Sequence, residues 1–125
     1  MILDTNALSA FIEGDSAVGA LVSAMIRVVV PVIVLGEFRY GIAQSRHRKS
    51  YESWLSENLS DFEIAEISEA TTVSYSAIRL QLKRSGRPLP ANDVWIAALA
   101  LQYRLPVLSR DEHFDVVEDV RRHGW

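Results

Sequence analysis

The chain contains no cysteine. Disulfide bonds, zinc–thiolate sites and cysteine nucleophiles are therefore excluded. Long hydrophobic runs are also lacking, since the longest apolar stretch, residues 28–35, is too short to span a membrane and contains Pro31. The first four residues carry no basic group ahead of Asp4, which argues against a signal peptide. We therefore expect a cytoplasmic protein that has no membrane partner.

An excess of positive charge is the second feature that the sequence lacks. Thirteen lysines and arginines face sixteen aspartates and glutamates, and the formal net charge is −3. Proteins that bind nucleic acids are usually basic, so this balance alone argues against such a role. The argument weakens if several of the acids hold a metal ion, because the remaining charge is then close to neutral. The distribution of charge matters more than its sum.

Positive charge is concentrated in two clusters, at residues 45–49 and 83–87. Clusters of this kind supply the phosphate contacts in nucleic-acid binding. The second cluster includes Arg84 and Arg87 and leads directly into Asn92 and Asp93, so these arginines are candidates for binding a substrate. The alternative is that both clusters are solvated loops and cationic helix ends.

The order of secondary structure predicts the fold class. With 125 residues, of which 49% are hydrophobic, the chain suits a single domain with one core. Strands are predicted at residues 1–4, 27–32, 62–67 and 105–109, and helices at 15–27, 34–44, 50–58, 69–84 and 91–103, with a turn or short helix at 111–117. Strands that alternate with helices indicate an α/β fold with a mostly parallel sheet.

Four acids stand out against this framework. Asp4 closes the first strand and Asp111 follows the last one, at the edge where ligands bind in open α/β sheets. Glu37 lies in an apolar stretch and would need a partner or a metal ion if buried. Asp93 lies in the first turn of a helix. Each acid also has a structural explanation as a helix cap, a helix-dipole partner or a solvated residue, and Asp115 competes with Asp111.

Crowded carboxylates repel one another and shift one another's pKa, a conflict that a divalent cation removes. Mg²⁺ prefers oxygen ligands, and a bound ion activates water and stabilises phosphate charge. Four polar neighbours of the acids are candidates for orienting carboxylates, water or phosphate: Thr5, Asn6, Asn92 and Ser109. We do not expect the three histidines to act as ligands or bases, because they show no HxxxH or HxH spacing.

Four stretches together resemble the PIN-domain ribonucleases and, more narrowly, the VapC-type toxins of toxin–antitoxin pairs. They read MILDTN at residues 1–6, LGEFRYG at 35–41, LPANDVWIAA at 89–98 and PVLSRD at 106–111, with Phe114 shortly after. The resemblance covers nearly the whole chain. Its first and third stretches are the most specific, whereas the acid after the final strand varies within the family.

The resemblance implies a three-layer α/β/α sandwich with a central, mostly parallel sheet. It implies Mg²⁺ or Mn²⁺ held by acids at the positions of Asp4, Glu37, Asp93 and Asp111. It further implies endonucleolytic cleavage of RNA by an activated water, and a homodimer that a cognate antitoxin neutralises with a peptide over the site. No residue indicates whether transfer, ribosomal or messenger RNA is cut.

Two other classes of protein remain as alternatives. A phosphotransfer or phosphatase domain also places acids at strand ends, but such families pair them with a lysine after a later strand, and residues 105–111 contain none. A PIN-like module that binds RNA or a partner without cleaving it is the second alternative. The sequence has neither the nucleophile elbow of serine hydrolases nor a glycine-rich phosphate loop.

Overall fold

In the computed structural model, which describes residues 1–125, the chain forms five strands and six helices. The strands are β1 (Ile2–Leu3), β2 (Val29–Pro31), β3 (Glu63–Ala65), β4 (Val107–Leu108) and β5 (Arg122–His123). The helices are α1 (Thr5–Ile12), α2 (Ser16–Ala24), α3 (Val32–Ala43), α4 (Arg48–Asn58), α5 (Glu69–Ser85) and α6 (Ala91–Tyr103), with short 3-10 helices at Leu59–Asp61 and Glu112–Val116. The helix predicted at residues 91–103 is confirmed at both ends, and the other predicted elements are found with shifted limits.

The five strands form one sheet in the order β3-β2-β1-β4-β5, and every pair of neighbours is parallel. Ile2 of β1 pairs with Val29 on one side and with Val107 on the other. Successive residues of a strand point to opposite faces of the sheet. Ile2 and Leu3 are both fully buried, as are Val107 and Leu108, so both faces of the sheet are covered. This arrangement confirms the predicted three-layer α/β/α sandwich.

The strand order creates a switch point between β1 and β4. The chain proceeds from β1 outwards through β2 to β3 and then returns to the other side of β1 to form β4 and β5. Connections at the carboxyl ends of β1 and β4 therefore diverge, which leaves a crevice between them. Asp4 directly follows β1, and Ser109 directly follows β4.

Local sequence signals explain several element boundaries. Pro31 is the last residue of β2 and the N-cap of α3, so it both ends the strand and begins the helix. Gly86 ends α5 with a left-handed backbone, φ 66°, a conformation that glycine adopts without steric penalty. At the start of α5, Ser68 and Thr71 form a reciprocal capping box.

Two elements, α1 and β5, had no limits assigned from the sequence. A short helix after Asp4 was expected only if Asp4 acts as a helix cap. Strand β5 was missed entirely, since two polar residues carry no periodic pattern. It is fixed instead by pairing with β4 and by its Arg122 side chain, which donates to the Ser109 carbonyl oxygen at 3.1 Å. No single helix is both long enough and apolar enough to cross a membrane.

Candidate active site

Asp4 is the most deeply buried charged residue of the chain, with 5% of its surface exposed. It occupies the N-cap position of α1, where its Oδ1 accepts a hydrogen bond of 2.8 Å from the backbone N–H of Thr5. Its Oδ2 accepts from Asn6 Nδ2 at 3.1 Å and from Ser109 Oγ at 2.6 Å. The side chain therefore caps a helix and also faces the crevice between β1 and β4.

The hydroxyl of Ser109 connects three parts of the site. The hydroxyl donates to Asp4, and its oxygen accepts hydrogen bonds from the backbone N–H of Asp111 at 2.9 Å and from the side-chain amide of Asn6 at 3.2 Å. The other end of the Asn6 amide accepts from the backbone N–H of Arg110 at 3.2 Å. Ser109 is fully buried. The turn after β4 is thereby held in a fixed position relative to Asp4.

Glu37 approaches the site from the second turn of α3, which begins directly after β2. Its Oε1 accepts a hydrogen bond of 3.0 Å from the Thr5 hydroxyl, so Thr5 joins this acid to the segment that carries Asp4. Glu37 is half-buried. Glu37 was expected to need a partner if buried, and that partner is the Thr5 hydroxyl; no basic side chain pairs with it.

Asp93 and Asp111 complete the group, together with a histidine. One ligand atom each from Asp93, Asp111 and His113 lie within 4.8 Å of one another. The Nδ1 of His113 is 3.1 Å from Asp111 Oδ2 and 3.4 Å from Asp93 Oδ2. Asp111 also accepts at Oδ1 from the backbone N–H of His113, at 2.9 Å, which caps the 3-10 helix Glu112–Val116.

Burial and mutual repulsion dominate the electrostatics of the site. Burial raises the pKa of Asp4 above its usual value, against the lowering effect of the hydrogen bonds from Ser109 and Thr5, and the charges of Glu37 and Asp111 raise it further. Burial likewise raises the pKa of Asp93, with the charges of Asp4 and Asp111 adding to the effect. None of the four acids forms an ion pair with a lysine or arginine.

Asp115, the alternative to Asp111, has a different environment. Its two carboxylate oxygens accept from Nε and Nη2 of Arg122, at 2.9 and 2.8 Å. These hydrogen bonds hold the pKa of Asp115 below its usual value. Of the two acids, Asp111 is therefore the one that the structure brings to Asp4 and Asp93, and Asp115 is occupied by an arginine.

The other predicted residues differ in how closely they approach the acids. Thr5, Asn6 and Ser109 all form hydrogen bonds within the site, as the preceding distances show. Asn92 is exposed, and its side chain makes no hydrogen bond to any of the acids. Arg84 and Arg87 are exposed at the end of α5 and in the segment that leads to α6.

His113 was not expected to act as a ligand or base, yet it lies against two of the acids in the structure. A histidine repeat could not reveal this position, because the neighbours of His113 are aspartates from separate parts of the chain. A better signal was its position between Asp111 and Phe114. Phe114 is fully buried, so the turn that contains His113 is anchored to the core.

This set of donors fits a hard divalent cation. Carboxylate oxygens from four separate segments meet at one edge of the sheet, and two of the carboxyl groups, Asp4 and Asp93, have a raised pKa because they are buried and lie near other carboxylates. Mg²⁺ and similar ions are bound through such oxygens. The four carboxylates fit such an ion because their oxygens are suitable ligands and because no lysine or arginine balances their negative charge.

Comparison with known proteins identifies the family. The family model for the PIN domain matches residues 1–120. Ribonuclease VapC2 of Rickettsia felis is 32% identical over 99 residues, which is 78% of this chain and 74% of that protein. Ribonuclease VapC5 of Mycobacterium tuberculosis is 29% identical over 119 residues, which is 94% of this chain and 87% of that protein.

Solved structures agree with the sequence comparison. The crystal structure of VapBC2 from Rickettsia felis, bound to a DNA fragment from its promoter, superimposes with a TM-score of 0.91 at 23% identity, over 99% of this chain and 97% of that one. The structure of VapBC-5 from Mycobacterium tuberculosis, a member of the VapBC family of toxin–antitoxin systems, has a TM-score of 0.76 at 28% identity, over 99% and 97% of the two chains. The chain therefore belongs to the PIN-domain family and, within it, to the VapC ribonucleases.

Proposed function

We propose that this protein is the ribonuclease toxin of a toxin–antitoxin pair and that it hydrolyses RNA with a divalent ion, Mg²⁺ or Mn²⁺, at the site built by Asp4, Glu37, Asp93 and Asp111. The observation that carries this proposal is the convergence of four carboxylates from separate segments without any lysine or arginine to balance them. A bound divalent ion supplies positive charge for the carboxylates and the phosphate and activates water for attack.

The residues of the chain divide the remaining tasks among them. Ser109 and the Thr5 N–H fix the orientation of the Asp4 carboxylate, and the Thr5 hydroxyl fixes Glu37. Asn6 ties both ends of its amide to the site, which limits the movement of the turn after β4. Oriented carboxylates of this kind need little reorganisation when they bind an ion.

Substrate binding is assigned to the basic segment that leads into α6. Arg84 and Arg87 are exposed and precede α6, whose first turn carries Asp93. Guanidinium groups of this kind bind RNA phosphates. Exposed Asn92 in the same turn is available to phosphate or base.

The antitoxin partner is inferred from relatives whose structures are toxin–antitoxin complexes, VapBC-5 among them. A peptide that covers the acids would block access to the site. The homodimer implied by the sequence resemblance remains a prediction, which sedimentation of the purified chain tests directly. A cytoplasmic location belongs to the same proposal, because RNA is the substrate.

The proposed activity is tested with a fluorescently labelled RNA, the purified protein and a titration of Mg²⁺ or Mn²⁺. Wild-type protein is expected to cut the RNA internally and to lose this activity in EDTA. The Asp93→Asn variant is expected to lose at least about 100-fold in rate while keeping its fold, because it removes one carboxylate charge from the ion-binding group. Asp61→Asn, which alters an exposed acid outside the site, serves as the matched control and should cut at the wild-type rate.

Two results would contradict this proposal. Equal cleavage by the wild type and by Asp93→Asn would exclude the acids from the reaction. RNA binding without cleavage at any metal concentration would favour the non-cleaving PIN-like module instead. Circular dichroism of both variants shows whether a loss of activity comes from unfolding.

A further inference from the structure

We propose that His113 is a nitrogen ligand of the divalent ion and that it gives the site a preference for Mn²⁺ over Mg²⁺. This inference rests on the proposed function, since it concerns the ion that the four acids are proposed to hold. It adds to that function a ligand that is not a carboxylate and a metal selectivity that carboxylates alone do not provide.

The position of the imidazole is the first argument. His113 Nδ1 lies between Asp111 Oδ2 and Asp93 Oδ2, at 3.1 and 3.4 Å. Neighbouring ligands of an octahedral ion with bonds of about 2.1 Å are about 3.0 Å apart. These two distances are close to the spacing that one shared ion requires, and the ligand atoms of all three residues lie within 4.8 Å of one another.

The second argument is that the turn is built to present this face of the ring. Asp111 uses Oδ1 to accept the backbone N–H of His113, so its Oδ2 remains directed at the same histidine's Nδ1. Phe114, the next residue, is buried in the core. The Ser109 hydroxyl accepts the Asp111 N–H, which fixes the start of the turn. His113 is thus positioned by its neighbours, although 56% of its side chain is exposed.

Ligand chemistry supplies the selectivity. Mg²⁺ is a hard cation that binds through oxygen and retains several waters. Mn²⁺ also binds carboxylates and water, but as a first-row transition metal it accepts imidazole nitrogen more readily than Mg²⁺ does. Replacing a water or carboxylate oxygen with His113 Nδ1 therefore strengthens Mn²⁺ binding more than Mg²⁺ binding. Without the histidine, the same acids would form an all-oxygen site with less discrimination.

Electron paramagnetic resonance of the Mn²⁺-loaded full chain tests the proposal without relying on activity. Electron spin-echo modulation is expected to show coupling of the Mn²⁺ spin to a directly bound ¹⁴N nucleus in the wild type. His113→Gln should abolish this coupling, weaken Mn²⁺ binding by at least about tenfold and leave Mg²⁺ binding changed by less than that. His47→Ala, an exposed histidine at the start of α4, is the control and should keep the coupling.

The outcomes separate this inference from the proposed function. Mn²⁺ that binds to the wild type and supports RNA cleavage, but shows no ¹⁴N coupling, overturns the role of His113 and leaves the four acids in place. Tighter Mn²⁺ binding by His113→Gln would show that the imidazole competes with the ion, and it would overturn the proposal equally. A wild type that binds no Mn²⁺ yet cleaves RNA in EDTA would refute the metal site altogether.

Discussion

Replacing Ser109 with alanine should destabilise the metal-free protein by an amount that depends on pH. The hydroxyl donates a 2.6 Å hydrogen bond to the buried Asp4 carboxylate and accepts the Asp111 N–H at 2.9 Å. A hydrogen bond to a charged group contributes about 1.5–3 kcal/mol, and the alanine leaves no cavity of note. We expect a loss of about 2–3 kcal/mol in the free energy of unfolding at pH 8, when Asp4 is ionised.

The sign of the pH dependence follows from the pKa of Asp4. The Ser109 hydrogen bond lowers this pKa, so the alanine variant has a higher pKa in the folded state than the wild type. Extra stability of the wild type is therefore present above the pKa of Asp4 and declines as the pH falls through it. Towards acid pH, as Asp4 becomes protonated, the difference should approach the value for a neutral hydrogen bond, about 1 kcal/mol.

Urea denaturation followed by tryptophan fluorescence, in EDTA and at one protein concentration, measures both quantities. With a slope of about 1.5 kcal/mol per molar urea, the pH 8 midpoint should fall by about 1.3–2 M. Ser76→Ala changes an exposed serine of α5 and should stay within about 0.5 kcal/mol of the wild type. A pH-independent difference between Ser109→Ala and the wild type, or one that grows towards acid pH, would refute the reasoning.

Two further predictions concern the acids. Asp111→Asn should lower the rate of RNA cleavage by at least about 100-fold. Asp115→Asn should keep most of the activity, because Asp115 is paired with Arg122. A steady-state cleavage assay compares the two variants, and a greater loss in Asp115→Asn would show that Asp115 is the fourth acid of the site. Mn²⁺ at one hundred times its dissociation constant should raise the Tm of the wild type by about 10 °C. Asp93→Asn should show a much smaller rise in differential scanning fluorimetry, and an equal rise in both proteins would place the ion elsewhere.

Periodicity predicted the elements that bury apolar faces, and it failed where other interactions determine the structure. Helix α6 is long and rich in alanine, and its middle, from Ile96 to Ala100, is buried, so its apolar pattern predicted both of its ends. Strand β5 consists of Arg122 and His123, whose side chains carry no hydrophobic signal. It is held by backbone pairing with β4 and by Arg122, which joins Asp115 to the carbonyl of Ser109, and a local pattern cannot reveal such interactions between segments.

The residues of the candidate site likewise divide into those that local sequence identified and those that depend on contacts between distant segments. Asp4, Glu37 and Asp93 were selected by sequence motif and by their positions relative to the predicted elements. The choice between Asp111 and Asp115 depended on the partner of each side chain. Asp111 caps the 3-10 helix, whereas Asp115 is paired with Arg122. His113 was discounted for want of a repeat, although its relevance comes from two aspartates, one of them twenty residues earlier in the chain.

The hydrogen bond between Ser109 and Asp4 also has a consequence for protein synthesis. Its partners are 105 residues apart, and the central strand β1 pairs on one side with β4, which is among the last elements to be translated. A nascent chain that has not yet released β4 from the ribosomal exit tunnel has neither the Ser109 hydroxyl nor Asp111 beside Asp4. The order of translation therefore delays assembly of the candidate site until the ribosome has made most of the chain, so we expect that unfinished polypeptides on polysomes do not degrade the RNA around them.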